Sequence, residues 1–559
     1  NKNDLPDPGD HIVSDTVYEE PRNEIERTLV EIWEEILGVK GIGINHSYYE
    51  LGGDSIKAIQ IVAKLNKNNL EVSTKDILKY FNIKSLSKKV KMKKREAYQG
   101  EVIGDVKLTA IQKWFFSINS ENDYNHFNQG ILLKNKNRFD EEILRETFNE
   151  ILKHHDALRM SFKLNKDEIL QTNNRINENM IKLPVINITD NIEKTIKCES
   201  EKVQKDIRID EGDMVKVRLF RTLEEDYLLI VVHHLVIDGV SWRIIFEDFN
   251  TLYNQISRGD NVKLSKKTDA FKVWSKGIYE YSKSIDDSKL SYWKNININD
   301  VKIIPKDYII EKRYQKNSKT LELEINENKT KEILEKVNNI YNTNTEDILL
   351  AALKSVLIKW TGYDKILINL EGHGREDILE NIDISRTVGW FTSMYPMLLE
   401  TKKNEDLDYR IKNIKETLRS IPNKGIDYGI NKYINNQDLN LKPEISFNYL
   451  GEFDNDLPDG LSISNLDIGN FYGNNICKEF AIDINARLIN NKILISFTYD
   501  KYEYKDNTIY KLLSNYKKNI DEIIDYCSKK TNKEITPSDL GSDNLTLDEL
   551  EEIFDYIEN

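Results

Sequence analysis

Four short strings carry side chains that could do chemistry. In YYELGGDSIKAIQ, Ser55 follows Gly52, Gly53 and Asp54 and stands where a helical pattern begins. A hydroxyl at a helix N-terminus lies among unpaired amide donors and the positive end of the helix dipole, which favours phosphate there. An isolated serine in that place is more often a plain helix cap. In HHLVIDGVSW, His233 and His234 come directly after an apolar run, with Asp238 four residues past His234 and Gly239 turning the chain. An imidazole titrates near neutrality, so a histidine at a strand end facing a channel is a natural proton carrier. EGHGRE brings Glu371, His373 and Arg375 after another apolar run, and SFNYLGEFD offers Asn448 and Tyr449. A second histidine pair, His154 and His155, falls in a helical stretch (ILKHHDALRM) and reads as packed structure.

The elements that must position these groups follow from periodicity. From Arg22 onward Ile25, Leu29, Ile32, Trp33, Ile36 and Leu37 recur at helical spacing, with glutamates on the opposite face. A glycine-bearing loop leads to Ser55, and apolar periodicity resumes at Ile56, Ile59, Val62 and Ala63. Two further helical patterns, near residues 75–80 and 85–92, complete a small bundle. The lysine-rich run KKVKMKKRE, residues 88–96, is expected to be a solvated boundary. Beyond it, short apolar runs at 227–232 and 366–370 and the alternating TLELEI at 320–325 predict strands interleaved with helices, an α/β region. Near the end, Thr546 and Glu549 form a capping-box signature ahead of an apolar stripe of Leu550, Ile553, Phe554 and Ile557.

Composition bounds the function classes. A chain of 559 residues exceeds one core and calls for three or four compact units. Apolar residues at 39% and charged residues at 31% fit a folded chain. The net charge of −14 is spread with lysines and acids interleaved, which argues against nucleic acid as a partner. Cys198, Cys477 and Cys527 have no paired spacing, so neither a metal site nor a disulfide framework is expected, and a reducing cytoplasm fits best. The longest apolar stretch, around residues 227–237, is interrupted by His233 and His234 and falls far short of the ~20 residues of a membrane span. The opening NKNDLPDPGD is unlike a signal peptide and reads as a linker tail. A start without methionine suggests a piece of something longer.

The LGGDS string in its helical setting, over residues 20–95, resembles the thiolation, or peptidyl carrier, domains of nonribosomal peptide synthetases. The motif HHxxxDG resembles the one shared by the condensation and epimerisation superfamily, whose members have two chloramphenicol-acetyltransferase-like lobes forming a V. EGHGRE, RTVGWFTSMYP at 386–396, AIQKWFF at 110–116, EDILLAAL from Glu346 and SFNYLGEFD resemble epimerisation signatures in the family's order. Ala110 stands where a proline commonly opens the motif matched by AIQKWFF, and Asp427 where PxxGxGYG has a glycine. Aspartate tolerates positive φ less well than glycine, so that loop is expected to feel the change.

The resemblance implies a small all-α four-helix carrier bundle followed by a large α/β domain of two lobes. The divisions expected are a linker from an upstream adenylation domain (1–19, with LPDP at 5–8 as its signature), the carrier (20–95), an N-terminal lobe (103–280), a C-terminal lobe (281–532) and a final helix (535–559). It implies that a phosphopantetheinyl transferase attaches 4′-phosphopantetheine to Ser55, beside Asp54, and that the arm carries an aminoacyl or peptidyl thioester. Inverting the α-carbon needs one proton carrier on each face, with charge delocalised as an enolate. His234 and Glu371 are the implied pair, the glutamate working best if burial raises its pKa toward neutrality. Tyr449 and Asn448 are the implied further polar contributors, and His233, Asp238, Trp242, His373 and Arg375 the supporting residues. Asp238 is expected to anchor the histidine loop through a buried ionic contact, and Arg375 either to share in that or to meet the pantetheine phosphate. The final helix resembles a donor segment that docks on the condensation domain of a next synthetase, or else packs back on its own domain. The competing readings are a peptide-bond-forming condensation domain and a non-catalytic docking platform.

Overall fold

The computed structural model describes residues 18–93, 95–119, 124–165, 168–177, 180–296, 300–403, 405–452, 460–541 and 545–558. The LPDP string and the first seventeen residues of the expected linker lie outside them, as do the side chains of Phe554 and Ile557.

The first unit is a small bundle of helices Glu24–Leu37, Ser55–Lys67, Thr74–Lys79 and Ile83–Leu86. Asn23 caps the first helix by accepting from the Glu26 amide, and Gly38 ends it in the left-handed conformation that glycine tolerates. The apolar stripe read from sequence closes the core, where Leu29, Trp33, Tyr48, Ile61, Leu65 and Ile77 are fully buried. Gly53 has to be glycine, since a Cβ there would fall 2.5 Å from the Tyr48 ring. The last helical pattern is shorter than expected: the helix ends at Leu86, and Lys91–Met92 is instead a strand antiparallel to Leu70–Glu71. Nor is the lysine-rich run merely solvated. Lys93 pairs with Asp383 at 2.8 Å, and the Arg95 guanidinium grips the buried Asp269 carboxylate, so the run is stapled to the large domain.

The large domain has two lobes with separate apolar cores. A five-stranded sheet runs in the order Leu461–Ile463, Asn128–Asn135, Asp226–His233, Val215–Arg221, Val185–Asn187. A six-stranded sheet runs Ser318–Ile325, Lys492–Asp500, Ile482–Ile489, Ile445–Glu452, Lys365–Gly372, Ser393–Glu400. The expected strands at 227–232, 320–325 and 366–370 all lie within these. Every residue of Asp226–His233 is buried, which is why that stretch reads as continuous apolar chain and not as an alternation. Leu461–Ile463 follows a strand of the second sheet in sequence, yet it pairs antiparallel with Asn128–Asn135 of the first. Val388, Trp390 and Phe391 likewise pack into the first core.

Two further expectations meet the structure here. Asp427 lies in the short helix Ile426–Gly429, and the positive φ values fall on Asn423, Lys424 and Gly425. No glycine is needed at Asp427, whose buried carboxylate accepts from the Tyr281 hydroxyl and the Asn423 amide. The final helix, Leu547–Glu558, starts with the expected box: the Thr546 amide donates to the Glu549 carboxylate at 2.8 Å. It packs back on the second lobe, with Leu547 and Leu550 buried and Asp548 paired to Lys402.

Candidate active site

The strand Asp226–His233 delivers both histidines to its carboxyl end, and they part company there. His233 is fully buried, its Nε2 on the Tyr124 carbonyl at 2.7 Å, and burial lowers its pKa to about 3. It is a structural residue. His234 is only partly buried and opens a short 3₁₀ turn, with Nδ1 2.7 Å from the Ile237 carbonyl. Its Nε2 meets the Gln129 side-chain amide nitrogen at 3.0 Å, and the Trp242 indole donates to Gln129 Oε1 at 2.7 Å. Phe127 stacks on the His234 ring at 17° and Trp390 lies 4.5 Å away between centroids. Desolvation lowers the His234 pKa, so the neutral ring is the resting form.

Asp238 ties this loop to the opposite lobe. Its carboxylate caps the helix Gly239–Arg258 through the Ser241 amide, accepts from the Phe391 amide at 3.1 Å, and pairs with Arg375 at 3.0 Å. Arg375 is 1% exposed, donates to the Ile384 and Thr387 carbonyls and covers the Phe391 ring. Its guanidinium is therefore spent on the junction between lobes and is not turned to a pantetheine phosphate, the other role the sequence allowed. Gln112 of AIQKWFF adds a hydrogen bond to the Leu235 carbonyl, holding the histidine turn from a third side.

On the other lobe, Lys365–Gly372 and Ile445–Glu452 run parallel, with Leu370 opposite Phe447. Glu371 and Asn448 thus emerge side by side at the carboxyl ends of parallel strands, the usual place for a site in such sheets. Asn448 Nδ2 donates to Glu371 Oε2 at 2.8 Å. Burial, with Asp483 nearby, raises the Glu371 pKa to about 7. Tyr449, the next residue, turns away: its hydroxyl bonds Thr345 and feels the charge of Asp54. Asn448 is the polar neighbour of the glutamate and Tyr449 is not. His373 Nδ1 accepts from the Arg375 amide at 3.0 Å, and burial drives its pKa well down.

A cavity of about 1980 Å³ links these groups to the carrier. Its wall includes Ser55 together with Gln129, Trp242, Glu371, Asn448 and Tyr449. His234 is not itself on that wall; Gln129 is, and it touches His234 Nε2. Ser55 is the first residue of its helix, and the cap is Asp54, which accepts from both the Ile56 and Lys57 amides at 2.8 Å. The hydroxyl of Ser55 is thereby spared the plain capping role. Gly451, at φ 68° within a bulge of Ile445–Glu452, brings the second lobe close to Ile56 and Asp54. Around this contact the basic carrier face meets acids: Lys57 with Glu452, Lys67 with Glu247, Asn66 and Lys93 with Asp383.

Gln129, Asn66, Asp383 and Glu346 escaped the sequence reading as site residues. Glu346 lines the same cavity, and burial with the adjacent Asp347 raises its pKa to about 7. No local signal in the sequence marks Gln129, since its strand also carries Asn128, Lys134 and Asn135, and only the pairing with Asp226–His233 brings it beside His234. His154 and His155 are packed as expected; His155 Nε2 lies 2.8 Å from Asp248, which also binds Arg386. Among the described residues no helix is long and apolar enough to cross a membrane.

Comparison with known proteins agrees with this architecture. A family model described as a condensation domain matches residues 102–546, and one described as a phosphopantetheine attachment site matches residues 27–90. Gramicidin S synthase 1 of Brevibacillus brevis is 44% identical over 97% of this chain, and tyrocidine synthase 1 of Brevibacillus parabrevis 37% identical over 98%. The chain spans about half the length of those relatives, 51% and 52% respectively. The crystal structure of the epimerization domain from the third module of tyrocidine synthetase B superposes with a TM-score of 0.72 at 38% identity, covering 78% of this chain and 99% of that one. The chain belongs to the condensation-domain family of nonribosomal peptide synthetases, as an epimerization domain preceded by its phosphopantetheine-bearing carrier.

Proposed function

We propose that this pair of domains inverts the α-carbon of an aminoacyl or peptidyl thioester held on Ser55, with His234 and Glu371 as the two proton carriers. The observation that carries the reading is the single cavity whose wall includes Ser55 of the carrier, Glu371 of one lobe and the Gln129 side chain that touches His234 of the other. The residues present fit a phosphopantetheine arm, because Ser55 heads a helix already capped by Asp54 and borders that cavity. When attached, the arm supplies a thioester, which acidifies the α-carbon. His234, neutral at rest, takes a proton; Glu371, its carboxyl held near neutrality by burial, gives or takes one on the other side; Asn448 fixes the carboxyl orientation. Asp238 and Arg375 hold the two lobes in register through their buried ion pair.

The partners follow from the same reading: an adenylation domain ahead, a condensation domain of a next module behind, and a phosphopantetheinyl transferase that loads the arm. All of this chemistry belongs in the cytoplasm, where coenzyme A and the transferase are. The test loads Ser55 with an L-aminoacyl pantetheine and follows chirality and uptake of solvent deuterium at the α-carbon. Inversion with label is expected. Dipeptide formation with an acceptor would favour the condensation reading, and an inert thioester would favour a docking platform. His234→Ala is expected to abolish label exchange in at least one direction. On Ser55→Ala, a mass gain of the arm would refute the attachment site.

A further inference from the structure

The hydrogen-bond chain Trp242, Gln129, His234, Ile237 admits one pattern of protons. An indole N–H can only donate, so Gln129 must present Oε1 to Trp242, and its NH₂ group then faces His234. That NH₂ can only donate, so His234 Nε2 must accept. At the other end of the ring a backbone carbonyl can only accept, so Nδ1 carries the hydrogen. We propose that Trp242 and Gln129 are positioning residues that hold His234 as the Nδ1–H tautomer, with the lone pair of Nε2 kept unprotonated on the side where Gln129 borders the cavity. This assignment rests on His234 being a proton carrier, and it fixes the form in which that carrier waits.

The device acts in both halves of a proton transfer. In the empty cleft the amide occupies the lone pair through a neutral hydrogen bond, and a substrate C–H has to approach Nε2 beside an amide that Trp242 keeps in place. Once His234 has taken a proton, its new Nε2–H faces the amide N–H, and Gln129 cannot turn its oxygen inward without abandoning Trp242. The charged ring is thus disfavoured and passes its proton on. Trp242 is 3% exposed and Gln129 sits in the strand Asn128–Asn135, so neither is free to drift. Of the titratable groups packed around the ring, Asp238 is tied to Arg375, His233 is held on the Tyr124 carbonyl, and Tyr472 lies beyond Phe127. Among the described residues none of these reaches Nε2.

The experiment uses the full chain labelled with ¹⁵N-histidine, in which eight histidines are resolved and His234 is assigned by its loss in His234→Ala. The ring nitrogens of His234 are expected to report Nδ1–H and a bare Nε2 at neutral pH. Gln129→Glu keeps the shape and the Trp242 bond but replaces the donor with a carboxylate, so His234 is expected to become doubly protonated. Its label exchange is then expected to shift alkaline by about one to three pH units and to recover at higher pH. A purely structural role would not move that profile. Trp242→Phe, which releases Gln129, is expected to mix the tautomers and slow exchange on the order of 10²-fold, the low end of what a placed proton carrier contributes. An Nε2–H signature in the parent chain, or an unchanged signature in both Gln129→Glu and Trp242→Phe, overturns the inference. A parent chain with the expected signature but no label exchange would instead remove the epimerase reading, so the two failures are told apart.

Discussion

Glu371 offers the sharpest quantitative test. A carboxyl at its ordinary value of 4.5 would be only about 0.3% protonated at pH 7, whereas a pKa of about 7 makes it about half protonated, a gain of ~150-fold in the acid form. The consequence has a sign. In the direction where Glu371 delivers the proton, deuterium wash-in is expected to fall as pH rises through about 7; in the direction where it removes the proton, wash-in is expected to rise through the same pH. Folding also takes up a proton at this site, because the folded value is raised above the unfolded one. The stability this group contributes is present below pH 4.5 and is lost as pH rises toward about 7. Glu371→Gln keeps the shape and an oxygen for the Asn448 amide to donate to, while removing the titration. It is expected to fold at least as stably as the parent at about pH 8 and to lose on the order of 10²- to 10⁴-fold in exchange in at least one direction. Both enantiomers of the loaded thioester are to be followed from about pH 5.5 to 9, beside thermal melts of both chains. A variant that exchanges at the parental rate from both enantiomers, or a parent profile without an inflection near 7, would refute the reasoning.

Arg375→Met is expected to destabilise the large domain by about 3–5 kcal/mol, since it leaves the Asp238 carboxylate buried without its cation; an unchanged urea midpoint would show the junction to be unimportant. Lys93→Glu sets an acid against Asp383, and with Lys67→Glu against Glu247 it is expected to weaken carrier docking by about 1 kcal/mol in sum, read as a larger radius of gyration by X-ray scattering and slower label exchange. Because of the same pairs, exchange in the parent chain is expected to fall with added salt, and a salt-independent rate would count against a docked carrier held by charge.

The sequence was most informative where one residue type answers one need. The periodicity from Ile25 to Leu37, the continuous apolar run before His233 and the alternation at 320–325 each state their element because burial on one face, or on both, leaves no other choice. His234, Glu371 and Asp238 stood out because each lies at or just past a strand end or caps a helix within a motif. What stayed hidden was tertiary. Nothing local distinguishes Tyr449 from Asn448, yet the pleat sends one toward Thr345 and the other toward Glu371. The lysine-rich run looked like a solvated spacer because its partners, Asp269 and Asp383, lie about 170 and 290 residues away in sequence. The final helix likewise lies against a distant part of its own lobe, beside Lys402. Gln129 acquires its meaning from Trp242, 113 residues on.

The short strand Leu461–Ile463 limits how the two lobes can move. It leaves the second lobe and hydrogen-bonds into the edge of the first sheet, so a wide hinge opening would have to tear backbone pairing along Leu133 to Asn135. One flank between the lobes is tied by backbone pairing, which disfavours gross gaping as an entry route. A residue tethered to Ser55 is then expected to reach the interior along the cavity that Ser55 itself lines, without the lobes parting.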